Sequence, residues 1–362
     1  MKVALVTSLD GGGPVEHALV LAQGLSDAGV AVRTVCATST LAARFAATGA
    51  EVIILPLRSP WDVAHGLAVR RATLDVEIIH AQDRRAGLWT RLLPRSPGTA
   101  LVYTVHGLPD PYLPPPAGPL KPGLRAALAY RGLDVALTRR ADAVVTPSSA
   151  VAEALVSRLG YPKSALTVVR NGVQLRPPAP TGAAVGTLSV LEPVKGLDVF
   201  LQAAQQLALE RPGLPIIIFG AGSQEAALRG LARDLGLADR VEFAGHTPAL
   251  EALGRLAVLA LPSLMENCPM AMLEAMAAGV PVVASRVGGI PEMAPTGAAS
   301  LVPAGNPRAL SDAIGALLDN AAGRRAQAAR ARAHVEQEAS QAVMTERMVA
   351  VYHRARAARA GR

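Results

Sequence analysis

A chain of 362 residues is longer than a single hydrophobic core usually covers, so two domains are expected. Hydrophobic residues make up 51% and aromatics 3%, and 36 Lys plus Arg against 28 Asp plus Glu leave a net charge of +8. That balance favours acidic partners such as nucleotides or phospholipid, and with no basic stretch interleaved with aromatics it argues against nucleic acid.

Cys36 and Cys268 offer neither a disulfide framework nor a metal-ligand spacing, which points to a reducing, cytoplasmic setting. Met1 to Thr7 is too short an apolar start for a signal segment, and no stretch reaches the roughly 18 apolar residues of a membrane span.

Val3 to Val6 reads as a strand, followed by Leu9-Asp10-Gly11-Gly12-Gly13-Pro14 and a helical pattern through Leu19, Leu21, Ala22 and Leu25. Glycines at such a turn let backbone approach a phosphate or sugar, and they also serve simply to reverse a chain. Further strands are expected near Ala31–Cys36, Val52–Pro56, Val76–His80, Leu101–Val105, Ala143–Thr146 and Leu166–Val169, with helices between most of them. Such alternation predicts a parallel sheet covered on both faces. His106 follows one strand at the sheet's carboxyl edge, where ligands bind in α/β folds; a hydrogen-bonded loop histidine fits the position equally. Pro109 to Pro122, with seven prolines in fourteen residues, is expected to be extended loop, an acceptor-side flap. Arg125 to Arg140 reads as a helix with a solvated basic face, the alternative being a surface that meets anionic lipid.

Arg176 to Gly182 interrupts the alternation and marks the domain boundary. Three parts are expected: 1–175, 176–338, and a last helical segment 339–362 whose Met344, Met348, Val351 and Tyr352 form an apolar stripe. In the second domain, strands are expected at Val185–Val190, Ile216–Gly220, Val241–Phe243, Ala257–Leu261, Val280–Ala284 and Ser300–Val302. Lys195, in Leu191-Glu-Pro-Val-Lys-Gly196, is suited to neutralise a diphosphate, although a plain surface lysine is the default for most lysines. Gly220-Ala-Gly222 resembles a dinucleotide turn, but Glu225 stands where a third glycine belongs; with Glu242 twenty residues on, it keeps a nicotinamide-dependent oxidoreductase as an alternative.

The most informative stretch is 257–285. A strand, the loop Pro262–Cys268, a helix from Pro269 to Ala278 ended by Gly279, and a further strand make one β-loop-α-β unit. Glu274 is the only ionisable side chain between Pro269 and Gly279, and a carboxylate among Met, Ala and Leu needs donors. A ligand's hydroxyls would supply them, and so would an arginine across a packed interface. Glu266 lies in the loop before the helix, where free N–H groups and the helix dipole favour phosphate.

With these motifs in view, the chain resembles the GT-B retaining glycosyltransferases of family 4. The resemblance rests on Glu266 and Glu274 with seven residues between them, Gly12-Gly13, Thr104-Val-His106, Asn171-Gly172-Val173, Glu192-Pro-Val-Lys195-Gly196, Val241-Glu-Phe-Ala-Gly245 and Gly288-Gly-Ile-Pro-Glu292. It implies two Rossmann-like doubly wound α/β domains facing each other across a cleft and closing around the donor. The implied reaction is transfer of a sugar from a nucleoside-diphosphate sugar to a hydroxyl of a glycan, lipid or small-molecule acceptor, with retention of configuration. By the same resemblance Glu266 lies beside the donor sugar, Asn267, Cys268, Pro269 and Met270 hold sugar and phosphate, and Glu274 takes the ribose diol. Lys195 neutralises the diphosphate, Gly12 and Gly13 approach it, and His106 faces the sugar. The last segment crosses back to the first domain. No cofactor and no metal are expected, because no Asp-x-Asp ends a strand; Asp75-Val76-Glu77 begins one. Peripheral contact with an anionic membrane is left open. The family's arginine five residues before the lysine is Val190 here, for which Arg286 or Arg170 is the candidate substitute, and an inactive or weakly active nucleotide-sugar-binding homologue is the alternative.

Overall fold

The computed structural model describes residues 1–57, 62–107, 132–178, 182–295 and 297–361. β1 (Lys2–Val6), β2 (Ala31–Cys36), β3 (Glu51–Ile54), β4 (Ile78–Ala81), β5 (Ala100–Thr104), β6 (Ala143–Thr146) and β7 (Leu166–Val168) form a parallel sheet in the order β3-β2-β1-β4-β5-β6-β7. β8 (Ala184–Leu188), β9 (Ile216–Phe219), β10 (Val241–Gly245), β11 (Leu256–Leu261), β12 (Val282–Ser285) and β13 (Ser300–Val302) form a second, in the order β10-β9-β8-β11-β12-β13.

Parallel pairing follows from strands that are apolar on both faces. Along β1, Val3 and Leu5 join one core while Ala4 and Val6 join another on the opposite face, so the period of two loads both sides of the sheet. Every residue of β5 and of β11 is buried. Several intervening helices start at a side chain that accepts an early N–H, as Thr38, Ser148, Asn306 and Asn320 do.

The chain divides into two units. Among the described residues, one takes the chain up to 107, residues 132–172 and the last helix from Gln341; the other takes Val173–Ser340. The second unit's ends lie side by side, the Val173 N–H donating to the Ala339 carbonyl at 3.0 Å. In the last helix, Gln341–Ala360, the stripe of Met344, Met348, Val351 and Tyr352 is buried in the first unit's core with Val3, Leu5 and Leu21.

Several boundaries differ from expectation. Pro269 is the residue before the helix, with extended ψ of 122°, and the helix begins at Met270. β12 starts at Val282 because Pro281, which has no N–H, uses its carbonyl to accept from Leu259. β8 ends at Leu188, leaving Val190 in a loop. Of the expected helix 125–140, the described part is helical over 132–138, with Arg139 and Arg140 exposed beyond it. The proline-rich stretch 109–122 and residues 179–181 of the expected linker lie outside the described residues.

Candidate functional site

Each sheet has one place where its strand order reverses, between β1 and β4 and between β8 and β11. In open α/β sheets ligands bind outside the carboxyl ends of the strands at such a reversal point. Most of the residues singled out in the sequence lie on these loops or on those of the next strands.

In the second unit the loop after β8 carries Lys195 and the loop after β11 carries Glu266. Lys195 Nζ donates to Glu266 Oε1 in an ion pair, and Ser263 Oγ donates to the same oxygen at 3.2 Å. The Lys195 and Glu266 side chains are 20% and 11% exposed, so water screens the pair only in part. Backbone stitches the loops together as well, with the Leu264 N–H donating to the Val194 carbonyl at 2.9 Å. Two glycines allow this closeness. Gly196 has φ +61° and lies against the Pro262 carbonyl; Gly288, φ +50°, lies against the Glu266 carbonyl, and a Cβ at either would overlap that oxygen. The motif glycines of 196 and 288 therefore set where Lys195 and Glu266 sit.

The helix Met270–Ala278 follows from Glu266, Asn267, Cys268 and Pro269. No side chain caps its N-terminus. Seven of its nine residues are buried, and the two that are not, Ala271 and Glu274, are three apart on one face. Glu274 is thus set on the helix's single open strip beside a residue without bulk. Cys268 is buried at the loop's end. Val190, in the loop after β8, is 47% exposed. Arg286 is exposed just past β12, its N–H donating to the Val302 carbonyl at 2.8 Å, two residues before the Gly288 that abuts Glu266. Arg170 belongs to the first unit, so of the two candidate arginines only Arg286 shares a unit with Lys195.

In the first unit Gly11, Gly12 and Gly13 are exposed, Gly12 at φ +86° directly before the helix Gly13–Asp27. Sequence reasoning missed the group that holds this loop. Asp83, after β4, accepts from the Ser8 N–H at 2.5 Å, Ser8 Oγ at 2.6 Å and Thr7 Oγ1 at 3.2 Å, and also from the Ala86 N–H at 3.1 Å as the cap of its own helix. An aspartate between a strand's end and a helical pattern is a readable cap signal, but its second task depends on β1 and β4 being neighbours. His106 follows β5 and packs edge-on against His17, ring centroids 4.9 Å apart. Burial lowers His17 to about 4 and His106 well below the usual histidine value, so both rings are neutral at neutral pH.

The glycine turn Gly220-Ala-Gly222 has a packing cause. Gly220, φ +125°, lies against the Ser189 carbonyl and Gly222 against Leu191 backbone, where a side chain would collide. Glu225 pairs with Arg229 at 2.9 Å and Glu242 with Arg255 at 2.6 Å, so both acids of the dinucleotide reading are engaged in ion pairs. Asp75 and Glu77 likewise serve the amino end of the first sheet, pairing with Arg33 and Lys2 and with the amino terminus and Arg356. Among the described residues no three His, Cys, Asp or Glu side chains are grouped to hold a metal ion, and no helix is long and apolar enough to cross a membrane.

Two parallel-strand sheets with flanking helices, each with a reversal point at which charged or glycine-bearing loops meet, define the α/β class of the GT-B glycosyltransferase structures. Anabaena HepE in complex with UDP-glucose superposes with a TM-score of 0.82 at 20% identity, over 97% of this chain and 99% of that one. Sucrose-phosphate synthase from Thermosynechococcus elongatus gives 0.79 at 20% identity over 99% of each. Residues 11–176 match the family model described as Glycosyltransferase Family 4, and residues 179–320 the one described as Glycosyl transferases group 1. The chain belongs to this family of glycosyltransferases. Its curated relatives include a GDP-mannose-dependent monoacylated alpha-(1-6)-phosphatidylinositol monomannoside mannosyltransferase of Corynebacterium glutamicum, 35% identical over 44% of this chain and 44% of that protein. Glycogen synthase of Mycobacterium tuberculosis is 29% identical over 75% of this chain and 70% of its own length. The matched region thus spans less than half of the first relative and about two thirds of the second.

Proposed function

We propose that the chain transfers a sugar from a nucleoside-diphosphate sugar to an acceptor hydroxyl, with retention of configuration and without a metal ion. The observation that carries this reading is the Lys195–Glu266 pair at the reversal point of the second sheet, next to a helix N-terminus without a side-chain cap. As the glycosidic bond breaks, the diphosphate leaving group gains charge. A fixed lysine and the positive end of a helix offset that charge without reorganising. In this reading Asn267, Cys268, Pro269 and Met270 hold phosphate and sugar, Glu274 accepts from the ribose diol, and Glu266 orients the sugar. By the family resemblance His106 faces the sugar and Gly12 and Gly13 approach the diphosphate. Arg286 supplies the second cation that Val190 does not. The named relatives work on lipid and glycan acceptors, which supports an acceptor of one of those classes.

A panel of UDP-glucose, GDP-mannose and ADP-glucose in a thermal-shift assay tests this, because a ligand that binds only the native state raises its melting temperature. One donor is expected to stabilise the protein and to release its nucleoside diphosphate in the presence of EDTA. No shift with any donor would overturn the reading, and turnover that needs added magnesium would overturn its metal-free part. The exposed Val190 favours a second reading, a nucleotide-sugar-binding protein of weak activity, which would give a shift without turnover.

A further inference from the structure

Gln82 is fully buried one residue past β4, and its amide stands between two histidines of the first unit. Its Nε2 is 3.2 Å from His80 Nδ1, and its Oε1 is 3.3 Å from His106 Nε2. His80, also fully buried, is held on both ring nitrogens: Nδ1 lies 2.7 Å from Tyr352 Oη on the last helix, and Nε2 lies 2.7 Å from Thr104 Oγ1 at the end of β5. Thr104 is two residues before His106. A single chain of polar contacts therefore runs from the last helix through β4 to the loop that carries His106.

The donor and acceptor inventory gives this chain a direction. An amide nitrogen only donates and an amide oxygen only accepts. With Gln82 Nε2 against His80 Nδ1, that ring nitrogen is an acceptor and takes the Tyr352 hydroxyl as well, so the His80 proton is on Nε2 and is donated to Thr104. With Gln82 Oε1 against His106 Nε2, the latter must carry its proton. Burial holds His80 at about 3 and His106 well below the usual range, so each ring has one donor and one acceptor.

We propose that Gln82 is a positioning residue for His106: with its amide nitrogen spent on His80, its amide oxygen holds the His106 ring as the Nε2–H tautomer with the lone pair on Nδ1. Any hydrogen bond that His106 makes through Nδ1 is then one it accepts, which makes the ring an acceptor toward a sugar hydroxyl. That last role rests on the glycosyl-transfer reading; the tautomer does not. The His17 ring, edge-on to His106 at 4.9 Å, limits how far the imidazole can turn.

The test is a long-range 15N–1H correlation spectrum of the full chain labelled on histidine at neutral pH, with His106 assigned from the signal lost in His106→Asn. Wild type is expected to show His106 as Nε2–H. Gln82→Met, of similar length and without the amide, is expected to move His106 toward a mixture of tautomers while the melting temperature changes little. An Nδ1–H signal for wild-type His106, or a spectrum unmoved by Gln82→Met, would overturn the proposal; should that variant not fold, the wild-type spectrum alone decides. The second readout is turnover of UDP-glucose, GDP-mannose or ADP-glucose, whichever the wild type consumes. Gln82→Met is expected to lower kcat by roughly threefold to tenfold with KM for the donor little changed, the size of one neutral hydrogen bond. If none of the three is turned over, the glycosyl-transfer reading fails while the tautomer result still stands or falls by itself.

Discussion

Lys195 is bound to Glu266 through an ion pair that joins the loops after β8 and β11. A diphosphate that takes Lys195 as its counter-charge therefore shares the lysine's three N–H donors with Glu266, which competes for the same charge. Glu266→Gln removes that competition, so affinity for free nucleoside diphosphate is expected to rise by about threefold to tenfold. Turnover is expected to fall by roughly tenfold or more, because the group that orients the sugar has lost its charge. Calorimetric titration beside a kinetic assay checks both, and weaker nucleotide binding in the variant would show that Glu266 contacts the nucleotide favourably.

Glu274→Ala is expected to cost donor binding about 1.5 to 3 kcal/mol, the range for hydrogen bonds to a charged group. Folding should change little, since Glu274 sits on the half-buried strip of its helix and alanine is a strong helix former. A large drop in melting temperature with unchanged nucleotide affinity would instead make Glu274 part of a structural ion pair.

Arg286→Ala is expected to reduce kcat/KM by about tenfold to a hundredfold if it supplies the cation that Val190 lacks. Val190→Arg, at an exposed position with room for a longer side chain, provides the comparison. An unimpaired Arg286→Ala together with a tenfold gain in Val190→Arg would remove Arg286 from the site.

Asp83→Ala deletes a helix cap and the acceptor for Ser8 and Thr7 at once. Loss of a cap costs about 0.5 to 2 kcal/mol, and the unpaired N–H of Ser8 adds about 1 kcal/mol or more. Urea denaturation measures the sum. Asp83→Asn, which keeps one acceptor oxygen, should recover part of it.

His17 and His80, buried and lowered to about 4 and about 3, make stability depend on pH. In the unfolded chain both titrate near 6.5, so below that value the unfolded state binds more protons than the native state does. Their contribution is complete above pH 6.5 and declines as pH falls toward the folded-state values. The slope is about 1.4 kcal/mol per pH unit for each histidine over that window. Urea midpoints at pH 7.5, 6 and 5 should fall in that order, and His17→Asn should flatten the decline; equal midpoints would mean that the rings are not buried as neutral groups.

The order of elements was legible in the chain because local physics writes it. Apolar runs such as Leu256–Leu261, bounded by turns, specify buried parallel strands, and Gly279 at φ +76° ends its helix where an achiral residue was needed. The incomplete dinucleotide-like turn at Gly220 shows the limit of such reading, since a glycine reports only that something comes close, and here Ser189 and Leu191 backbone do. Which residues meet was decided by the tertiary structure. Lys195 and Glu266 are 71 positions apart and His80 and Tyr352 are 272 apart, and both pairs exist because strand order and helix docking bring them together. Period, propensity and capping act over one or two turns of chain, so they could place Asp83 at a helix start but not against Ser8, and Gln82 after a strand but not between two histidines.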